Sequence, residues 1–109
     1  MSEPDGRALD TLYAVIASRR GSNPAESYSA KLLAGGAPVI AKKLGEETVE
    51  TIIESLRGDG ARIAAESADL LYHLLVLWVA AGVLPQEVWR VLEARSGTSG
   101  LAERAARNS

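Results

Sequence analysis

Residues 38–81 read PVIAKKLGEETVETIIESLRGDGARIAAESADLLYHLLVLWVAA, a stretch in which two long helical patterns flank the turn Gly58-Asp59-Gly60. Proline suits the first turn of a helix, so we expect one helix over about Pro38–Arg57. Asp59 can cap a second helix over about Ala61–Ala81. Because the connecting turn is so short, the two helices should pack antiparallel as a hairpin.

Shorter helical patterns, separated by glycine, proline and serine, lie on both sides of this hairpin. Apolar spacing and capping residues predict helices over about Arg7–Arg19, over about Asn23–Ala34 with Asn23 as the cap, and over about Pro85–Arg95. A short terminal helix is expected after a flexible link at residues 96–100. No segment has a convincing strand pattern, and the predicted fold class is all-α.

The chain has 109 residues, which fits one domain, because chains usually divide only above about 250 residues. We expect a single domain over residues 7–107, a flexible N-terminus at 1–6 and a tail at 108–109. The chain has no cysteine, which excludes disulfides, thiolate zinc sites and cysteine nucleophiles. A formal net charge of -2 gives no indication of a nucleic-acid partner.

The sequence contains no pattern that predicts export or membrane insertion. The polar N-terminus lacks the basic start and apolar stretch of a secretion signal. The longest apolar run, Leu70–Leu84, has fifteen residues interrupted by His73, whereas a membrane span needs about 20. These observations predict a cytoplasmic protein without a membrane partner.

The helix expected at 61–81 is apolar nearly all the way round beyond Asp69. Such a helix must be covered on every side, which one chain of this size can hardly do. We therefore expect a homo-oligomer based on a dimer, in which hairpins from two chains form a four-helix bundle.

Five acidic residues lie on the two helices of the hairpin. Glu46, Glu47 and Glu50 fall within an arc of about 100° on the first helix, and Glu66 and Asp69 lie about 60° apart on the second. If the two acidic faces meet, the crowded carboxylates need a positive charge among them. Mg²⁺ prefers such oxygen ligands, and Mn²⁺ can substitute. Either cluster alone is also consistent with an ordinary solvated helix face.

The spacing of these acids, together with several longer segments, resembles a known group of enzymes. Glu46-Glu47-x-x-Glu50, a fifteen-residue gap and Glu66-x-x-Asp69 resemble the signature of the all-α, MazG-like nucleoside triphosphate pyrophosphohydrolase superfamily. The finer matches resemble its phosphoribosyl-ATP pyrophosphohydrolase family: residues 27–33 (SYSAKLL), 40–47 (IAKKLGEE), 66–75 (ESADLLYHLL) and 95–101 (RSGTSGL). Ala94 and Thr98 stand where family members often have basic residues, which leaves Arg95 as the main candidate of that segment.

The resemblance implies hydrolysis of phosphoribosyl-ATP to phosphoribosyl-AMP and pyrophosphate, the second step of histidine biosynthesis. It implies Mg²⁺ ligands at Glu47, Glu50, Glu66 and Asp69. Glu46, Glu47 and Glu50 are the catalytic candidates, and Glu46 would bind a second ion or orient the attacking water. The substrate-binding candidates carry a positive charge or a hydroxyl: Lys31, Lys42, Lys43, Ser27, Arg20 and Arg95. Adjacent lysines point in different directions on a helix, so at most one of Lys42 and Lys43 contacts phosphate directly.

Two other functions remain open at this point. A house-cleaning pyrophosphohydrolase for ordinary or damaged nucleotides would share the acidic signature, and a non-enzymatic helical dimerisation module would carry these acids only as surface. Lys42 and Lys43 can equally be i,i+4 ion-pair partners of Glu46 and Glu47. His73 is expected to be a core histidine satisfied by a hydrogen bond, and Ser27 can bond to the backbone of its own helix.

Overall fold

The computed structural model of the chain describes residues 3–96, 100, 104–105 and 107. Four helices follow one another: α1 (Arg7–Ser18), α2 (Tyr28–Arg57), α3 (Gly60–Ala81) and α4 (Pro85–Arg95). None of the described residues lies in a strand, which confirms the all-α prediction. The terminal helix expected beyond residue 100 falls largely outside the described residues.

The hairpin forms from α2 and α3, which pack mainly against each other. Gly58 ends α2 in the left-handed region, with φ of 79°, and its N–H donates to the carbonyl of Glu54. The carboxylate of Asp59 then accepts from the N–H groups of Ala61 and Arg62, so Asp59 caps α3 as expected.

The cap of α2 lies four residues later than the predicted cap at Asn23. Ser27 is the cap: its backbone is extended and its Oγ accepts from the N–H of Ala30 at 3.1 Å. Asn23 instead closes a turn, because its Oδ1 accepts from the N–H of Ala25 at 2.9 Å. Both residues are good helix caps, and the local sequence favours neither strongly.

A kink at Gly36 joins the two helices that were expected to be separate. Gly36 has φ of 78° and ψ of -177°, a conformation that essentially only glycine adopts. A Cβ atom on the neighbouring Gly35 would lie 3.0 Å from Cβ of Val39. The predicted break at these two glycines is therefore a bend within α2, and Pro38 lies just after it.

The buried core lies where α1, α2 and α3 meet, and it consists of Ile16, Leu32, Ile40, Leu75, Val76 and Val79. Two polar contacts hold α1 in place: the hydroxyl of Tyr13 donates to the carbonyl of Val83 at 2.8 Å, and Arg20, just beyond α1, donates to the carbonyl of Val79 at 2.7 Å. Trp89 attaches α4, since its Nε1 donates to Asp10 and its ring packs edge-on against Trp78.

One side of α2 is apolar and faces solvent in the single chain. Its exposed residues include Val49, Ile52, Ile53 and Leu56, of which Leu56 is 83% exposed. Apolar patches of this kind mark contact surfaces. The expected four-helix bundle would cover such a face, and it stays a prediction.

The length and composition of α3 alone would allow it to cross a membrane, and it is the one such helix in the described part of the chain. The central helix of a helical bundle passes the same test. Because α3 buries His73 and takes part in an acidic cluster with α2, we interpret it as the core helix of the hairpin.

Candidate active site

The hairpin brings three carboxylates together at its middle. Glu47 on α2 and Glu66 and Asp69 on α3 each offer one oxygen, and these oxygens lie within 4.8 Å of one another. Thr51 fixes the register of the two helices here, since its Oγ1 lies 2.8 Å from the carbonyl of Glu47 and 3.3 Å from that of Glu66. The predicted meeting of the two acidic faces is thus observed for these three residues.

The environment of the cluster disfavours negative charge on two of its members. Burial raises the pKa of Glu47, and the charges of Glu50, Asp69 and Glu46 raise it further, against an opposing effect of His73. Burial also raises the pKa of Glu66, with Glu50 as the largest charged contributor. Carboxylates held this close favour a proton or a cation among them.

Unpartnered oxygens support a cation rather than a purely structural role. Glu47 Oε2 and Glu66 Oε2 are buried and lack a hydrogen-bond partner among the described residues. A buried carboxylate oxygen without a partner is costly, and a hard divalent cation would satisfy it. The residues present therefore fit a metal ion of the Mg²⁺ type.

The other two predicted acids lie beside this group. Glu50 is exposed, but its charge acts on both Glu47 and Glu66, which places it next to them. Glu46 is exposed and lies 3.5 Å from the ammonium of Lys43, and it contributes least to the pKa of Glu47. Glu50 borders the three-residue cluster, whereas Glu46 stands at its edge.

The substrate-binding candidates are spread along α1, α2 and α4. Lys31 and Lys42 are exposed on α2, and Lys43 forms an ion pair with Glu46, three residues further on, rather than with Glu47, four residues further on. Ser27 Oγ accepts from the helix backbone as the cap of α2. Arg95 lies exposed in the last turn of α4, and residues 97–99 of the same sequence segment are outside the described part of the chain.

Arg20 lies at a cavity of about 300 Å³ beside the kink of α2. Besides Arg20, small and apolar residues line it, among them Gly36, Ala37, Ile40 and Leu77. Ile40 precedes Glu47 by two helical turns on nearly the same face of α2, so the cavity lies further along the same side of the hairpin as the carboxylates.

His73 has hydrogen bonds at both ring nitrogens, which agrees with the expected core histidine. It is 5% exposed. Its Nδ1 lies 2.7 Å from the backbone carbonyl of Asp69, and its Nε2 lies 3.1 Å from the hydroxyl of Tyr28. Beside it the hydroxyl of Tyr72 is hydrogen bonded to Ser29. The sequence analysis predicted neither of these two pairings, because the partners lie 45 and 43 residues apart in the chain.

Glu54 is a second feature that sequence reasoning missed. It is buried, and one of its oxygens lies 3.1 Å from Arg57, whereas Oε2 has no partner in the described part of the chain. Glu54 follows Glu47 by seven residues and so lies on nearly the same face of α2, and this spacing in the sequence could have indicated that Glu54 faces α3 as Glu47 does.

The fold and the site together define an all-α protein with a carboxylate cluster suited to a divalent cation. Residues 9–96 of the chain match the family model described as phosphoribosyl-ATP pyrophosphohydrolase. The chain belongs to the phosphoribosyl-ATP pyrophosphohydrolase family, a family of hydrolases, and the resemblance noted from its motifs is confirmed.

Three relatives named phosphoribosyl-ATP pyrophosphatase are similar to this chain over more than nine tenths of their length. The chain is 57% identical to that of Azospirillum brasilense over 101 residues, which are 93% of this chain and 91% of the relative. It is 54% identical to that of Parvibaculum lavamentivorans over 103 residues, 94% of each chain. It is 56% identical to one from Cereibacter sphaeroides over 99 residues, 91% of this chain and 96% of the relative.

Proposed function

We propose that this chain hydrolyses phosphoribosyl-ATP to phosphoribosyl-AMP and pyrophosphate, the second step of histidine biosynthesis. The observation that carries the proposal is the cluster of Glu47, Glu66 and Asp69 in a chain of this family. Hydrolysis of a phosphoanhydride needs positioning and charge neutralisation more than covalent catalysis by the protein. The relatives' shared name supports this substrate.

The acidic side chains would hold Mg²⁺, or Mn²⁺ in its place. Glu47, Glu50, Glu66 and Asp69 are the proposed ligands, since their oxygens are the donors that such ions prefer. When bound, the cation supplies the positive charge that the triphosphate requires. Glu46, at the edge of the cluster, would orient the water that cleaves between the α and β phosphorus atoms, or help to bind a second ion.

The basic residues would hold the negative charges of the substrate outside the cluster. Lys31 and Lys42 are exposed on the helix that carries the acids, and Lys43 is held near them by Glu46. Arg20 lies just beyond α1, Arg95 lies in the last turn of α4, and the hydroxyl of Ser27 lies at the start of α2. Charge-assisted contacts to phosphate from lysine and arginine are the strongest of these.

The functional form would be a cytoplasmic homo-oligomer based on a dimer. The exposed apolar side of α2 supports this, because a second hairpin packed there would complete a four-helix bundle. Neither a nucleic acid nor a membrane is among the proposed partners.

The test compares pyrophosphate release from phosphoribosyl-ATP with release from a panel of deoxynucleoside triphosphates, with Mg²⁺ present. We expect a clear preference for phosphoribosyl-ATP. Asp69→Asn should lower the rate by at least about a thousandfold, because loss of a metal ligand removes several kcal/mol of charge stabilisation. Glu93→Gln, on the exposed side of α4, is the control and should leave the rate unchanged.

Either of two results would overturn the proposal. A preference for the panel would favour a house-cleaning pyrophosphohydrolase, and an Asp69→Asn variant as active as Glu93→Gln would remove the carboxylate site from the reaction.

A further inference from the structure

Tyr28 presents an aromatic ring whose position is fixed although much of it faces solvent. The side chain is 48% exposed. Its ring stacks on Tyr72 with centroids 6.1 Å apart and planes 18° from parallel, and its hydroxyl lies 3.1 Å from Nε2 of His73. Tyr72 therefore lies on one side of the ring and His73 at its polar end, and nearly half of the side chain stays open to solvent.

The hydroxyl of Tyr28 is already engaged within the protein. A carbonyl only accepts, so the bond of 2.7 Å between His73 and Asp69 requires a proton on Nδ1 of His73. The other ring nitrogen, Nε2, lies 3.1 Å from the hydroxyl of Tyr28. The exposed ring is therefore the part of Tyr28 that remains open to a ligand.

The ring also lies close to the carboxylates. His73, whose Nε2 lies 3.1 Å from the hydroxyl of Tyr28, is hydrogen bonded through Nδ1 to the backbone carbonyl of Asp69 at 2.7 Å. In a nucleotide cleaved between its α and β phosphorus atoms, only one ribose separates the reacting phosphate from the base. A base attached to a phosphate at the cluster therefore reaches the neighbourhood of this ring.

We infer that Tyr28, supported from behind by Tyr72, is the surface on which the purine base of the substrate stacks. This rests on the proposed function, since it takes the cluster as the phosphate site. His73 is a positioning residue in this arrangement, because it holds the Tyr28 hydroxyl and touches neither base nor phosphate. Stacking of a base on an aromatic side chain strengthens binding by about five- to 150-fold.

The test uses two small probes that separate base recognition from phosphate recognition. AMP carries the purine, and inorganic pyrophosphate with Mg²⁺ does not. We expect Tyr28→Leu to weaken AMP binding by about tenfold or more, because the ring is lost. Tyr28→Phe keeps the ring and should bind AMP within about threefold of the unchanged protein. Both variants should bind pyrophosphate normally, as measured by titration calorimetry.

Other outcomes overturn the inference. AMP binding that is unchanged in Tyr28→Leu would show that the ring is not the base platform. Equal weakening of AMP and pyrophosphate would show that Tyr28 supports the whole site rather than the base.

A kinetic measurement separates this inference from the function on which it rests. If the unchanged protein releases no pyrophosphate from phosphoribosyl-ATP, the proposed function fails. If it does, Tyr28→Leu should raise KM for that substrate by about tenfold with a much smaller effect on kcat. An unchanged KM would overturn the stacking role alone.

Discussion

At the scale of single residues, Glu47 and Glu66 are the informative side chains. Both have raised pKa values, chiefly through burial, and both keep a buried oxygen without a hydrogen-bond partner among the described residues. Stability alone would not select such an arrangement, because uncompensated buried carboxylates oppose folding. A cation would reverse that effect by stabilising the charged forms.

The raised pKa values predict how the metal-free protein responds to pH. A carboxyl group whose pKa is higher in the folded state binds its proton more tightly there than in the unfolded chain. Stability in a chelator should therefore rise as the pH falls from neutral through the raised pKa values towards the ordinary 4.5. The measurement is the Tm of the metal-free protein at pH 7.5 and at pH 5.5.

The variant Glu47→Gln separates the contribution of Glu47 from those of other carboxyl groups. The separation is needed because the pKa of Asp5 is lowered, so Asp5 makes stability fall, not rise, as the pH falls. The variant should be more stable than the unchanged protein at neutral pH without metal, and its Tm should gain less on acidification. Equal pH dependence of the two proteins would contradict the pKa shift of Glu47.

At the scale of elements, the kink in α2 separates two segments with different tasks. The segment before Gly36 carries Tyr28 towards α3, and the segment after it carries the acids. Glycine can adopt φ of 78° with ψ of -177° without strain, whereas a residue with a Cβ atom is strained in this conformation.

Gly36→Ala should therefore destabilise the protein by about 1–3 kcal/mol, because alanine is strained in this backbone region. Gly45→Ala is the matched control: Gly45 lies inside α2 with open space around its Cα, and alanine there should be neutral or stabilise by up to about 1 kcal/mol. Urea denaturation of both variants checks the difference. A Gly36→Ala variant as stable as Gly45→Ala would mean that the kink relaxes into regular helix.

Sequence spacing was sufficient for the hairpin and for the acids that meet within it. Residues three apart on a helix share a face whatever the tertiary structure, so Glu66 and Asp69 had to lie together. Sequence spacing could not predict where α2 starts, because Asn23 and Ser27 are equally suitable as helix caps. Contacts 45 residues apart, such as that of Tyr28 with His73, hold the first turn of α2 against α3. No local pattern encodes a pairing of that range.

At the scale of the whole molecule, the distribution of apolar surface is uneven. The core is small and confined to the junction of three helices, whereas one side of α2 exposes several large apolar residues. That imbalance is the physical basis for the proposed association of two chains.

Ile52 and Leu92 allow a matched test of this association, since both are 54% exposed but lie on different helices. Ile52→Glu should shift the protein from dimer towards monomer, because a charge would be buried in the interface. Leu92→Glu should leave the mass unchanged. Light scattering at micromolar concentration measures both. A monomeric mass for the unchanged protein, or equal masses for it and Ile52→Glu, would contradict the bundle.

The hairpin turn at Gly58-Asp59-Gly60 lies between the two halves of the carboxylate cluster along the chain. A cation bound by both Glu47 and Glu66 would therefore cross-link the two helices and close the loop of chain between them. A disulfide has the same effect in proteins with cysteines, of which this chain has none. A disulfide responds to the redox conditions, whereas this link depends on the concentration of free metal. The metal ion of the proposed reaction would thus also stabilise the helical hairpin that binds it.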